Sequence, residues 1–243
     1  TWIPHPVRDD KMNPPPHMSI IKKIKITSSI STSKETNFVF LHSSIVYTRK
    51  MDTKKIIQAL DYVAWKQPDH TLDNMKAYKL LWLADRYHLR QYGRTVTGDE
   101  YHALPHGVVP SDAKCILESQ DTKLPHSKEA AGEYLKIYPV CKHTYKALKA
   151  PDTKVFSESD IEALDIILNK FNGMTPKELS EFSHQFPEWK QYEESLKNPQ
   201  KKNGYKINLD LFFENKEEES GLFTDSPELL QLTKEVYHQY KGC

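Results

Sequence analysis

Lys79-Leu-Leu-Trp-Leu-Ala-Asp-Arg-Tyr-His-Leu-Arg-Gln-Tyr-Gly-Arg94 is the stretch from which the rest of the chain can be read. Leu80, Leu83, Ala84 and Tyr87 recur at helical spacing, and Leu81 and Trp82 widen the stripe. Gly93 stands where a helix closes through a left-handed residue. The spacing predicts a long helix capped by Thr71 and running to Tyr92, with Leu72 and Met75 on its inward face, in the middle of the packing. Its last turns carry Arg86, His88 and Arg90, cations that suit the negative end of a helix dipole and need no functional role. Upstream, Ile56, Ile57, Leu60, Val63 and Ala64 form the stripe of a first helix ending near Pro68.

Downstream the pattern shortens. Thr95, Val96 and Thr97 are β-branched, Gly98-Asp99 signals a turn, and Tyr101, Ala103 and Leu104 follow, which predicts a short strand or hairpin. Pro105, Gly107 and Pro110 then call for a tight loop, with Ser111 capping a helix over residues 112–119. A helix over 127–135 and strand-prone residues 138–148 come next. Ser157-x-x-Asp160 reads as a capping box ahead of Ile161, Leu164, Ile167, Leu168 and Phe171, closed by Gly173. Thr175, Pro176 and Glu178 repeat that grammar, with Leu179 and Phe182 inward, and Pro187-Glu188-Trp189 starts a shorter segment. Residues 198–221 read as linker around an apolar patch at 207–213, and Ser226-Pro227-Glu228 opens a terminal helix through Tyr240. The expected class is predominantly α (α+β): a compact multi-helix domain with a small antiparallel sheet or hairpin.

The 243 residues carry 28% charged and 38% hydrophobic side chains, a balance that excludes fibrous, collagenous and wholly disordered classes. Residues 1–50 hold eight basic against three acidic residues, net +5, while 51–243 hold 26 against 30, net −4. Five of the fifteen prolines and a Ser/Thr-rich run lie in the first fifty residues, which are expected to be a disordered basic extension. Met51, ahead of a well-patterned helix, raises the alternative that residues 1–50 are not native coding sequence. The organised chain then divides into a helical domain over 51–197 and a linker with a C-terminal helix, 198–243, packing on the same domain. Cys115, Cys141 and Cys243 are odd in number and form no C-x-x-C, so neither a disulfide framework nor a zinc ribbon is expected. Apolar runs are too short for a spanning helix, and hydroxyls at 27–33 replace the apolar core of a signal peptide. A cytoplasmic protein without membrane association is expected.

Phosphate-cradling, H-E-x-x-H and G-x-S-x-G motifs are absent, with only eight glycines in the chain. The densest polar cluster is Asp85, Arg86, His88, Arg94, Asp99, Glu100, His102 and His106. His102 and His106 are four apart, which brings two ligands together only on a helix, and Pro105 argues against one there. Asp99 and Glu100 on a strand face opposite ways, so shared acid–base work needs a distorted turn; Asp99 suits a turn whose carboxylate accepts backbone N–H groups. Cys115, between apolar neighbours of a helix, reads as inert. Tyr62, Trp65, Trp82, Tyr87, Tyr92 and Tyr101 read as packing rather than a base-stacking platform. The acidic balance argues against nucleic acid, with Lys142, His143, Lys146 and Lys149 a local exception read as a solvated strand face. No metal or cofactor is expected.

The quoted helix, followed by Thr97-Gly-Asp-Glu-Tyr101 and His106-Gly-Val-Val-Pro-Ser111, resembles the SocA-like (Panacea) antitoxin domain, whose pattern reads K-L-L-Y-x-A-D, G-R-x-I-T-G-D-x-Y and H-G-P-V-P-S. Phe156-Ser-Glu-Ser-Asp-Ile-Glu-Ala-Leu-Asp165 is similar to a second block of that family, so the resemblance spans about residues 54–190. One departure is Val108, where the family has proline. The resemblance implies a mostly helical domain with a small sheet, from bacterial and phage-associated proteins. It implies an antitoxin that neutralises a cognate toxin, encoded by an adjacent gene, through direct contact or as an adaptor for proteolysis; it supplies no catalytic residues. The contact face is expected around Tyr87, His88, Asp99, Tyr101, His106 and Pro110, so that Tyr101→Ala or Asp99→Lys weakens toxin binding with the thermal midpoint nearly unchanged. Two rival readings are a metal-dependent or acid–base enzyme using His88, Asp99, His102 and His106, and a DNA-binding autorepressor.

Overall fold

The computed structural model describes residues 53–118, 127–138, 142–198, 204–215 and 221–241. The readings of residues 1–50 as an extension, of Cys141 and Cys243, and of the linker at 199–203 and 216–220 lie outside the described residues.

Helix α1 (Thr53–Trp65) follows its stripe, with Ile56, Ile57, Leu60, Val63 and Ala64 all buried. Thr71 does not cap the next helix. Thr71–Asp73 is instead a strand, β1, and Asp73 is the cap, its Oδ1 accepting from the Lys76 amide at 3.0 Å. Helix α2 (Asn74–Tyr92) then runs to Gly93, whose φ of 71° supplies the left-handed closure that the sequence signals. Strand β2 (Tyr101–Leu104) and strand β3 (Gly107–Pro110) form the hairpin around Pro105-His106, so the segment expected as loop is mostly strand and Thr95–Thr97 is not. Gly107 has φ 98°, and a Cβ there would collide with the Ser183 hydroxyl and lie 2.5 Å from Lys79 Nζ.

Helices α3 (Ser111–Leu117) and α4 (Ser127–Tyr134) lead into strands β4 (Leu135–Ile137) and β5 (Thr144–Ala147). These make the first sheet, ordered β1-β5-β4 and antiparallel throughout. Helix α5 (Glu158–Phe171) and helix α6 (Pro176–Ser183) each begin with the capping box read from the sequence. Short helices α7 (Pro187–Lys190) and α8 (Glu193–Leu196) follow. The stretch read as linker returns to the core. Tyr205–Lys206 is strand β6, paired with β2 to complete a second sheet ordered β3-β2-β6, and Leu209–Phe213 is a 3-10 turn with Phe212 and Phe213 buried. Helix α9 (Pro227–Lys241) closes the chain against α2.

Among the described residues the chain is thus mainly α with two small antiparallel sheets. Helix α2 is its hub, touched by α1, α5, α6, α9 and the second sheet, which is why the quoted stretch is nearly all buried. Burying side chains around one helix on every side forces its polar residues inside as well, and those residues make up the candidate site.

Candidate functional site

Asp85 sits about two turns before the end of α2, wholly buried. Its Oδ1 accepts from the amides of Val96 (2.8 Å) and Thr97 (2.9 Å), and its Oδ2 accepts from the Tyr101 hydroxyl (2.6 Å) and from the Thr97 hydroxyl. Burial pushes its pKa up, against the donors that favour the carboxylate. The loop 95–101 is folded around this one carboxylate, which explains why three β-branched residues in a row make no strand. Asp99 does the same for the next element. Its two oxygens accept from the amides of Asp112 and Ala113, both at 2.9 Å, so a residue twelve positions away caps helix α3 in place of Ser111. Burial lifts Asp99 to about 8.

Lys79, also on α2, has no exposed surface and donates to the Val108 carbonyl at 2.8 Å; burial holds its pKa well below the usual lysine range. The Lys79 ammonium and Gly107 therefore fix β3 to α2, and Val108 is extended within β3.

His88 faces α5. A carbonyl can only accept, so Nδ1 carries the proton it donates to the Arg94 carbonyl at 2.7 Å, and Nε2 accepts from the Ser159 hydroxyl at 2.9 Å. Burial pushes His88 down to about 4, leaving a neutral ring. Asp160 lies 3.4 Å away and is held by Lys55 (2.7 Å) and Arg94 (2.8 Å). Burial acts to raise the Asp160 pKa, but Lys55, the Ser157 amide and Arg94 outweigh it and keep the group ionised.

Arg86 and Arg90 are not solvent-facing partners of a helix dipole: both are fully buried. Arg86 Nε pairs with the buried Glu188 carboxylate at 2.9 Å, with its guanidinium 4.7 Å from the Phe186 ring centre. Arg90 donates to the carbonyls of Phe212, Glu214 and Phe223, to the Asn215 side chain and to the Asp225 carboxylate. Two guanidiniums thereby fasten residues 212–215 and 223–225 to α2.

Of the six residues expected to form a contact face, only His106, at the hairpin tip, is exposed. Tyr87, His88, Asp99, Tyr101 and Pro110 are buried, at 8% exposure or less for the first four, so the six do not share an open surface. The reason is the demand of the hub: residues that look reactive in sequence are the acceptors and donors that the surrounding backbone needs. Nor do His88, Asp99, His102 and His106 converge. His102 Nδ1 lies 2.6 Å from the Ser111 hydroxyl, and among the described residues no group of three or more His, Cys, Asp or Glu side chains is placed to hold a metal ion. Sequence reasoning overlooked Lys79, Glu188 and Asp225 as members of the cluster; an uninterrupted buried stripe with a lysine or arginine inside it is the signal that points to the first, while the other two lie over a hundred residues from their partners. Among the described residues no helix is long and apolar enough to cross a membrane.

The fold and cluster define a helical domain whose polar signature is spent on holding its own loops. The model of the family described as antitoxin SocA-like, Panacea domain matches residues 78–190, which bears out the resemblance over that segment; the resemblance read from residue 54 to 77 lies outside the match. No curated protein and no solved structure matches the chain.

Proposed function

We propose that this chain is a cytoplasmic antitoxin that neutralises a cognate toxin by direct protein contact and does no chemistry of its own. The match to an antitoxin domain over 78–190 carries the reading. The geometry supports it: Asp85, His88 and Asp99 are each satisfied by internal partners, so the signature builds a scaffold and leaves the exposed faces for recognition. A partner would bury about 800 Å² on this side of a standard interface.

The test is co-expression of the full chain with the product of the adjacent gene. Growth rescue together with copurification is the expected result; a neighbour that is harmless and does not copurify contradicts the reading. Rescue that disappears in a host lacking its ATP-dependent proteases assigns the chain to the adaptor role instead.

A further inference from the structure

The first sheet has one face turned inward and one turned out. Leu72, Tyr145 and Ile137 form a cross-strand row packed toward the core, with Leu135 and Ala147 beside it. Because strand side chains alternate, the adjacent row Thr71, Lys146 and Lys136 points the other way, as does Thr144, and Tyr138 and Leu148 follow just beyond the strand ends. Leu148 is 51% exposed, one of two large hydrophobic side chains so open among the described residues.

This outer face is basic on an acidic body. Residues 127–149 hold five lysines against two glutamates, whereas residues 51–243 as a whole are net −4. Lys149 is paired with Glu133 at 2.6 Å. Lys136, Lys142 and Lys146 have no carboxylate within ion-pair distance among the described residues. Lys136 and Lys142 lie 5.3 and 5.5 Å from the Tyr138 ring centre, and Lys149 lies 3.9 Å from that of Tyr134. Packing each ammonium against a ring orders it at the surface without neutralising it.

We propose that this face, centred on Lys136, Tyr138, Lys142, Lys146 and Leu148, is where the toxin docks, through a surface rich in Asp and Glu that surrounds an apolar contact. The inference rests on the direct-contact reading above. Charge complementarity chooses the occupant: three lysines without an ion-pair partner among the described residues seek carboxylates, and an exposed leucine next to Tyr134, with Tyr138 farther along β5, supplies the apolar and aromatic anchor such interfaces use. A single-stranded nucleic acid would also meet lysines and tyrosines, but it needs free ring faces for stacking, and here ammonium groups lie over them.

The test is calorimetric titration of the purified full chain with the adjacent gene's product, for the wild type and for the triple variant K136E/K142E/K146E, each at low and moderate salt. Charge reversal is expected to weaken binding about 100-fold, since like charges then face each other across the interface, and the wild-type affinity is expected to fall with salt. The lysines are exposed or half-buried, so an unchanged thermal midpoint is expected; should the glutamate variant fail to fold, K136Q/K142Q/K146Q decides, with a loss of about tenfold. Unchanged affinity in a folded variant overturns the inference and leaves the direct-contact reading standing. Absence of binding by the wild type overturns that reading and this inference with it. Salt-sensitive binding of an oligothymidylate, lost in the triple variant while toxin binding persists, reassigns the face to nucleic acid and overturns it too.

Discussion

Two neighbouring helices treat buried charge in opposite ways. On α2, Asp85 is met by four donors, Arg86 by Glu188, and Arg90 by a ring of carbonyls and a carboxylate. On α1, Asp61 is equally buried, yet neither of its oxygens has a hydrogen-bond partner among the described residues. Burial pushes Asp61 up to about 7, only partly offset by the charge of Lys149. A matched polar group specifies structure, whereas an unmatched one makes stability depend on pH. The contrast predicts that removing charge from α2 destabilises the protein and removing it from α1 does the reverse.

The largest effect is expected at Asp85. Asp85→Ala strands two amides and two hydroxyls in the core, and should lower unfolding free energy by about 3–5 kcal/mol in urea titration. Arg90→Met comes next. It releases the carbonyls of 212 and 223, leaves that of 214 to Arg86 alone and takes the ion-pair partner from Asp225, which keeps the Gln91 amide, so a loss of about 2–4 kcal/mol is expected. Limited proteolysis should then cut the segment beyond 204 before it cuts α2, and uniform cleavage would break the assignment of Arg90 as the fastener.

Asp61→Asn sharpens the other side. The folded pKa of Asp61 lies above its ordinary 3.8, so the folded state binds the extra proton. That contribution is complete below about pH 4 and is lost as pH rises through about 7. Replacement by asparagine is therefore expected to stabilise by roughly 1–3 kcal/mol at pH 8 and by little below about pH 4. A gain independent of pH would show that the carboxyl is not the group responsible. The smallest effect belongs to Ser157→Ala, which removes half of the α5 capping box and should cost about 1 kcal/mol by thermal unfolding.

The same contrast explains what the sequence could tell. Helices α1, α5, α6 and α9, the left-handed Gly93 and both capping boxes are local patterns, complete within four or five residues, and they could be read directly. Asp99 as an acceptor of backbone amides was legible in kind, though its donors come from α3 rather than its own turn. What was not legible is long-range. Thr71 reads as a cap until β5, over seventy residues later, pairs with it. Gly107–Pro110 reads as loop because glycine and proline are poor strand formers, and only the close approach of Lys79 and Ser183 makes that strand necessary. Arg86 and Arg90 read as surface cations because their partners lie more than a hundred residues away. The burial of five of the six expected contact residues was hidden for the same reason: polar residue type suggests exposure, and tertiary hydrogen bonding reverses it.

The central claim is that the signature residues hold the scaffold while recognition lies elsewhere. Tyr101→Phe tests it most directly, because it removes one hydroxyl from the Asp85 network and leaves the ring in place. Thermal unfolding and titration with the adjacent gene's product, run on the same preparation, should show a loss of about 1–3 kcal/mol in stability with toxin affinity unchanged. An unchanged thermal midpoint with weakened toxin binding would contradict the account.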